Sequence, residues 1–308
     1  MISSRRHRPR SWQLAVLVVV VGGLLGFGAV RTNVLGAADR LDRVGARVDA
    51  FLDPAPDRST LPTVVVTPRP LPAASAAPVG VATAGGSDDL PTMPRPALPS
   101  PIARAPVDVV LVADHATVFA SQLTDKDCAV AGTQMVLAML GLGDTSAAFQ
   151  TEIHDRIGEW EAWDDSHNGG WGPASISLAL AEYGAPGYEV RAYDVQADAL
   201  RDAAIAISTT DMPVVLLPWW GAHTWVMTGF RADADPAHFA DAELSGVYIL
   251  DPWYPRVSSI WGPSDGPGNF EDMAEMERNF IRWSRPEGAY PDRDGKYVVL
   301  IPTIPLDS

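Results

Sequence analysis

Polar and apolar positions are segregated at the start of the chain: Arg5, Arg6, His7, Arg8 and Arg10 precede an uncharged run over 11–30. Twenty residues at ~1.5 Å rise span the ~30 Å hydrocarbon core of a bilayer, so this run predicts a transmembrane signal-anchor behind a basic tail of residues 1–10. Val34, Leu41 and Val48 then recur every seven residues with Ala37, Val44 and Phe51 between them. This spacing predicts a juxtamembrane helix over 31–53, and over 34–51 it also suits a weak homodimeric coil. Periodicity disappears from 54 to 106 and returns at Val107. From there, strand-like alternation covers 107–112, and apolar helical spacing covers 128–141, 146–160, 173–184 and 196–206. Strand-like runs follow at 188–193, 213–217, 222–230, 247–250 and 297–301, with one helix expected at 270–283. Helices early and strands late favour an α+β fold over a doubly wound sheet.

Composition sharpens these boundaries. About half of the 27 prolines lie between Pro54 and Pro106. That Pro/Ala-rich stretch is expected to be an extended, disordered stalk, which leaves 107–308 as one globular domain. From residue 107 onward the chain carries 31 Asp/Glu against 11 Lys/Arg. An acidic domain repels phosphate backbones, so no nucleic-acid partner is expected. The same charge keeps an exported domain soluble or attracts a cationic substrate. Basic residues before the apolar run place the amino terminus in the cytoplasm and residues after Arg31 outside the cell membrane, single-pass. Small residues at Gly36-Ala37-Ala38 leave a cleaved secretory signal as the alternative.

One cysteine is present, so neither an intramolecular disulfide nor a multi-cysteine metal site can form. Cys128 opens an apolar run after Asp127, which places a thiol in the first turn of a buried helix with Asp127 as its capping residue. Unpaired N–H groups and the helix dipole stabilise a thiolate there. A nucleophilic thiol needs a base that also protonates the leaving group. His223, in the strand-like run after Pro218-Trp219-Trp220-Gly221, is the candidate. Asp251, ending the run before Pro252, can orient that imidazole from a neighbouring strand. Gln122, six residues before Cys128, can donate its amide to an oxyanion together with the Cys128 N–H.

Taken together, Gln122, Asp127-Cys128 opening a helix, a strand-borne His223 and the strand-ending Asp251-Pro252 resemble the C39-like branch of the papain-like cysteine peptidases over about 200 residues. The resemblance implies a papain-like fold, with an N-terminal catalytic helix packed on an antiparallel sheet. It also implies oxyanion, nucleophile, base and orienting roles for Gln122, Cys128, His223 and Asp251. The implied partner is a peptide or protein substrate, and no cofactor is implied. Two departures stand out. Ala129-Val130 follow the cysteine where the family usually has Gly-Pro, and a polar insert at 232–246 separates His223 from Asp251. Leader-peptide processing is not expected, because family members that do it are fused to export transporters and act on the cytoplasmic side. His223-Thr224-Trp225 with Asp251-Pro252-Trp253 also resembles transglutaminase-like acyl transferases, and Asp127-Cys128 resembles the NlpC/P60 cell-wall endopeptidases. A non-catalytic envelope-binding module on the same fold is the reading from another class.

His115, His154 and His238 lie in polar surroundings and read as solvated. His167, in the loop 164–171 with Asp164 and Asp165, reads as edging the cleft or facing a hard cation. Most tryptophans after residue 107 read as core, with some lining a groove.

Overall fold

The computed structural model describes residues 61–67, 102–160, 171–284 and 290–306. The expected basic tail, transmembrane run and juxtamembrane helix lie outside these residues, as do His167, Asp164 and Asp165. Among the described residues no helix is long and apolar enough to cross a membrane.

The chain is mixed α+β. In order, β1 is Val64–Val66, β2 Val107–Val110, α1 Cys128–Met139, α2 Ala147–Asp155, α3 Ile157–Trp160 and α4 Pro173–Glu182. Next come β3 Tyr188–Tyr193, α5 Gln196–Thr210, β4 Val214–Leu216, α6 Pro218–Gly221, β5 Trp225–Ala232 and β6 Leu244–Leu250. Last are β7 Val257–Ser258, β8 Gly262–Pro263, β9 Asn269–Asp272, α7 Met273–Asn279 and β10 Tyr297–Pro302. The main sheet runs β1-β3-β10-β4-β5-β6-β9, with β2 also pairing with β5. Every pairing is antiparallel except β1 with β3.

Alternate side chains of each central strand point to opposite faces, and here both faces are covered. Val215, Val226, Leu250, Val298 and Leu300 pack against the Cys128 helix and α4. Val214, Leu216, Met227, Ile249, Val299 and Ile301 pack against α5 and the residues around Met276 and Phe280. Such strands read as continuous apolar runs, and each fully buried aliphatic side chain contributes roughly 1.5–3 kcal/mol. The Cys128 helix is itself buried on all sides, from Ala129 to Leu137. It is therefore apolar around its whole circumference rather than striped.

Several elements differ from expectation. Within the stretch expected to stay extended, Val64–Val66 add an edge strand along β3. The helix expected at 270–283 is strand β9 followed by a helix of only seven residues, capped by Asp272, whose carboxylate accepts from the Glu275 N–H at 2.9 Å. The strand expected from residue 222 begins at Trp225, so His223 lies in the turn before it. The insert after β5 is folded back: Asp233 accepts from the Glu243 N–H at 2.8 Å and pairs with Arg104 at 2.5 Å.

Candidate active site

Three elements converge at one end of β5 and β6. In their antiparallel register Val226 faces Leu250, so the residue just after β6, Asp251, lies beside the turn that leads into β5. That turn carries His223. Its ring Nε2 meets Asp251 Oδ1 at 2.6 Å, with both residues buried. Asp251 Oδ1 also accepts the Trp253 N–H at 2.8 Å, so the carboxylate is held before it holds the imidazole.

Cys128 completes the group. Gly132, one turn further along the helix, makes this approach feasible: a Cβ there would sit 2.6 Å from Thr224 Cγ2, the neighbour of His223. With Nε2 given to Asp251, Nδ1 is the nitrogen left for the thiol. Burial lowers the basicity of His223, but the charge and hydrogen bond of Asp251, followed by those of Cys128, outweigh it. The result is a pKa raised from the ordinary 6.5 to about 9. The imidazole is thus held as imidazolium at neutral pH beside a partly exposed sulfur.

Asp127 occupies the capping position, but its carboxylate makes no bond to the helix's first turn. This corrects the expected cap. Oδ2 instead accepts the Thr124 N–H and Oδ1 meets His154 Nδ1, each at 2.9 Å. Among the described residues no side chain accepts from the leading N–H groups of the helix, an arrangement that suits a developing oxyanion.

Gln122 is 2% exposed and is tied to the Asp251 segment by its own N–H, which donates to the Pro252 carbonyl at 2.9 Å. Its Nε2 donates to the Thr124 carbonyl at 2.7 Å, which leaves one of the two amide protons without an acceptor among the described residues. Its buried Oε1 has no partner among the described residues. The loop is braced by residues that sequence reasoning did not single out. Gln150 accepts the Leu123 N–H at 2.7 Å and donates to the Ser121 carbonyl at 3.1 Å. Arg256 donates to the Gln122 and Leu123 carbonyls at 3.0 and 3.1 Å.

Trp219 was expected only as one of the core or groove-lining tryptophans, not as a partner of the histidine. Its ring stacks on His223 at 4.2 Å and 13°. Trp219 and Trp220 both adopt left-handed backbone, with φ 55 and 61. For non-glycine residues this costs on the order of 1–3 kcal/mol each, and such strain persists only where surrounding contacts enforce it. Here Trp219 Nε1 donates to Asn279 Oδ1 at 3.2 Å, and Trp261 stacks on its ring at 5.4 Å. The one readable signal was the Pro-Trp-Trp-Gly sequence just before the histidine.

Of the histidines expected to be solvated, His238 is half exposed beside Asp235. His154 is half exposed as well, but it is bound to the buried Asp127. His115 departs furthest. It is half-buried, its Nε2 lies 2.8 Å from Thr228 Oγ1, its ring stacks on Tyr248, and burial lowers its pKa.

No protein-family model and no curated protein matches the sequence. Among solved structures, the chain is similar to the crystal structure of a double glycine motif protease from an AMS/PCAT transporter in complex with the leader peptide. The TM-score is 0.33, with 16% identity, over 64% of this chain and 99% of that one. Any role read for Cys128, His223, Asp251 and Gln122 therefore rests on their arrangement here.

Proposed function

We propose that the chain is a papain-like cysteine peptidase of the C39-like type, with its 107–308 domain held outside the cell membrane by residues 11–30. The observation that carries the catalytic reading is the buried His223–Asp251 pair at 2.6 Å, with its imidazole against the thiol that opens a buried helix.

In this mechanism the Cys128 thiolate attacks the scissile carbonyl and forms a carbon–sulfur bond. The oxyanion is received by the Cys128 N–H and the free Gln122 amide proton. As the tetrahedral intermediate collapses, the carbon–nitrogen bond breaks and His223 gives its proton to the departing amine. His223 then takes a proton from water, whose oxygen attacks the thioester. The carbon–sulfur bond then breaks, the peptide acid leaves, and the departing sulfur re-forms the thiolate beside the imidazolium that holds water's proton. Asp251 keeps Nε2 occupied throughout, so that Nδ1 does the proton transfer.

Two measurements test this. Cys128→Ala is expected to depress peptide turnover by about three orders of magnitude or more, and wild-type rates in that variant would refute the mechanism. In parallel, iodoacetamide should alkylate wild-type Cys128 readily below pH 7 and the His223→Ala variant at least about 10-fold more slowly. Identical pH–rate curves would exclude a thiolate–imidazolium pair.

A further inference from the structure

Two successive tryptophans, Trp219 and Trp220, hold left-handed backbone (φ 55, ψ 52 and φ 61, ψ 27) just before His223. Relaxed backbone can supply a buried indole to a core, so packing alone gives no reason for strain here. Strain of this kind gathers where a side chain must be aimed. The Ala222 N–H closes the turn on the Trp219 carbonyl at 3.1 Å, and the His223 N–H on the Pro218 carbonyl at 3.3 Å. The Trp219 indole is thereby set face to face with the imidazole, ring centroids 4.2 Å apart at 13°.

The indole is itself fixed. Its Nε1 donates to Asn279 Oδ1 at 3.2 Å, at the end of α7, and Trp261, between β7 and β8, stacks on it at 2°. Trp220, 41% exposed, meets Trp261 edge-on at 4.9 Å. The brace therefore reaches from the surface to the histidine through three rings.

The groups that face the imidazole are Asp251 from the end of β6, Cys128 from the start of α1, the Trp219 face, and Trp253 in a perpendicular ring contact. A half-turn about Cβ–Cγ would carry both ring nitrogens away from Asp251 and the thiol. The indole blocks it, since the imidazole cannot turn without driving an edge into a plane 4.2 Å away. Burial, which leaves His223 4% exposed, disfavours the charged ring. The negative face of the indole quadrupole opposes that effect, because it attracts the imidazolium and not the neutral imidazole.

We infer that Trp219 is a positioning residue for His223: its indole face holds the imidazole in the orientation that gives Nε2 to Asp251 and Nδ1 to the thiol, and favours the protonated ring. This rests on the proposed peptidase mechanism for its effect on turnover, but not for the coupling of the two rings.

The test is made on the full chain with Trp219→Leu, which keeps apolar bulk without an aromatic face, and Trp219→Phe, which restores a face. Histidine ring resonances are followed by NMR across their titration, with His223 assigned from its loss in His223→Ala. The wild-type midpoint for His223 is expected near about 9. Trp219→Leu should make the imidazolium about 10-fold more acidic, and Trp219→Phe should recover most of that shift. Cys128 alkylation at neutral pH and kcat for a peptide should fall in the same order, with KM unchanged. Wild-type tryptophan emission gives a second reading, which decides alone if neither Trp219 variant folds. A stacked imidazolium quenches an indole, so emission should rise as His223 loses its proton, and the rise should move to lower pH in Asp251→Asn. An unchanged midpoint in Trp219→Leu, an equal shift in both variants, or emission blind to the His223 titration overturns the role. If no peptide is cleaved but midpoint and emission respond as expected, hydrolysis fails and the ring coupling stands. If peptides are cleaved and neither responds, hydrolysis stands and Trp219 is packing alone.

Discussion

At the scale of single residues, the site depends on which partner each polar atom has been given. His223 gives Nε2 to Asp251, which leaves Nδ1 for the thiol, and lies under the Trp219 ring. Because its pKa is raised to about 9, the proton that the proposed mechanism gives to the leaving amine is present below that pH and lost above it. The alkaline limb of kcat/KM is therefore expected near pH 9. In Asp251→Asn, which removes the charge that most raises this pKa, the limb should move toward the ordinary histidine range. A pH–rate profile of both proteins checks this. Much of the arrangement was readable from residue types: Cys128, His223 and Asp251 do come together. The Trp219 stack was not readable, because a left-handed tryptophan is imposed by neighbours distant in sequence such as Asn279 and Trp261. The Asp127 carboxylate misled for a similar reason, since His154 and the Thr124 N–H outcompete the helix terminus that lies next to it in sequence.

At the scale of elements, the Cys128 helix must lie flush on the segment that carries His223, and Gly132 is the point of contact. Gly132→Ala puts a methyl 2.6 Å from the buried Thr224 Cγ2. Overpacking of this kind costs about 1–3 kcal/mol and should lift the helix away from the imidazole. Denaturant unfolding should register the loss of stability, and Cys128 alkylation should slow in the same variant. Central strands such as Val214–Leu216 and Tyr297–Pro302 were legible because burial on both faces makes them bare apolar runs. The region after residue 268 was not, since Phe270 and Met273 suit a helical stripe as well as a strand followed by a cap. Val64–Val66 were hidden in the opposite way, three β-branched residues averaged into a proline-rich background. What recruits them is the exposed edge of β3, which no local property of the segment reports.

At the scale of the whole molecule, the buried pair makes stability depend on pH. A histidine whose pKa is about 9 when folded and ordinary when unfolded contributes fully below about pH 6.5, and the contribution is lost as pH rises through about 9. The shift corresponds to about 3 kcal/mol. Tm should therefore fall between pH 7 and 9.5 in the wild type, and much less in Asp251→Asn, as scanning calorimetry can measure. The large-scale layout was legible in its α+β character, while the participation of the proline-rich stretch in the sheet was not.

That participation has a mechanical consequence. Among the described residues, the first contact the sheet makes with the chain is three residues long, parallel to β3 and steadied by the Arg293–Thr63 bond at 3.0 Å. The next among those residues is β2, which starts at Val107 after 40 intervening residues. A pull on the N-terminal side loads the short strand first. It should part while the rest of the domain stays folded, releasing up to roughly 130–145 Å of slack. Force spectroscopy on the full chain should record this as a weak first event ahead of unfolding, absent in Val65→Pro, so that Val64–Val66 act as a mechanical fuse between the domain and whatever holds its N-terminus.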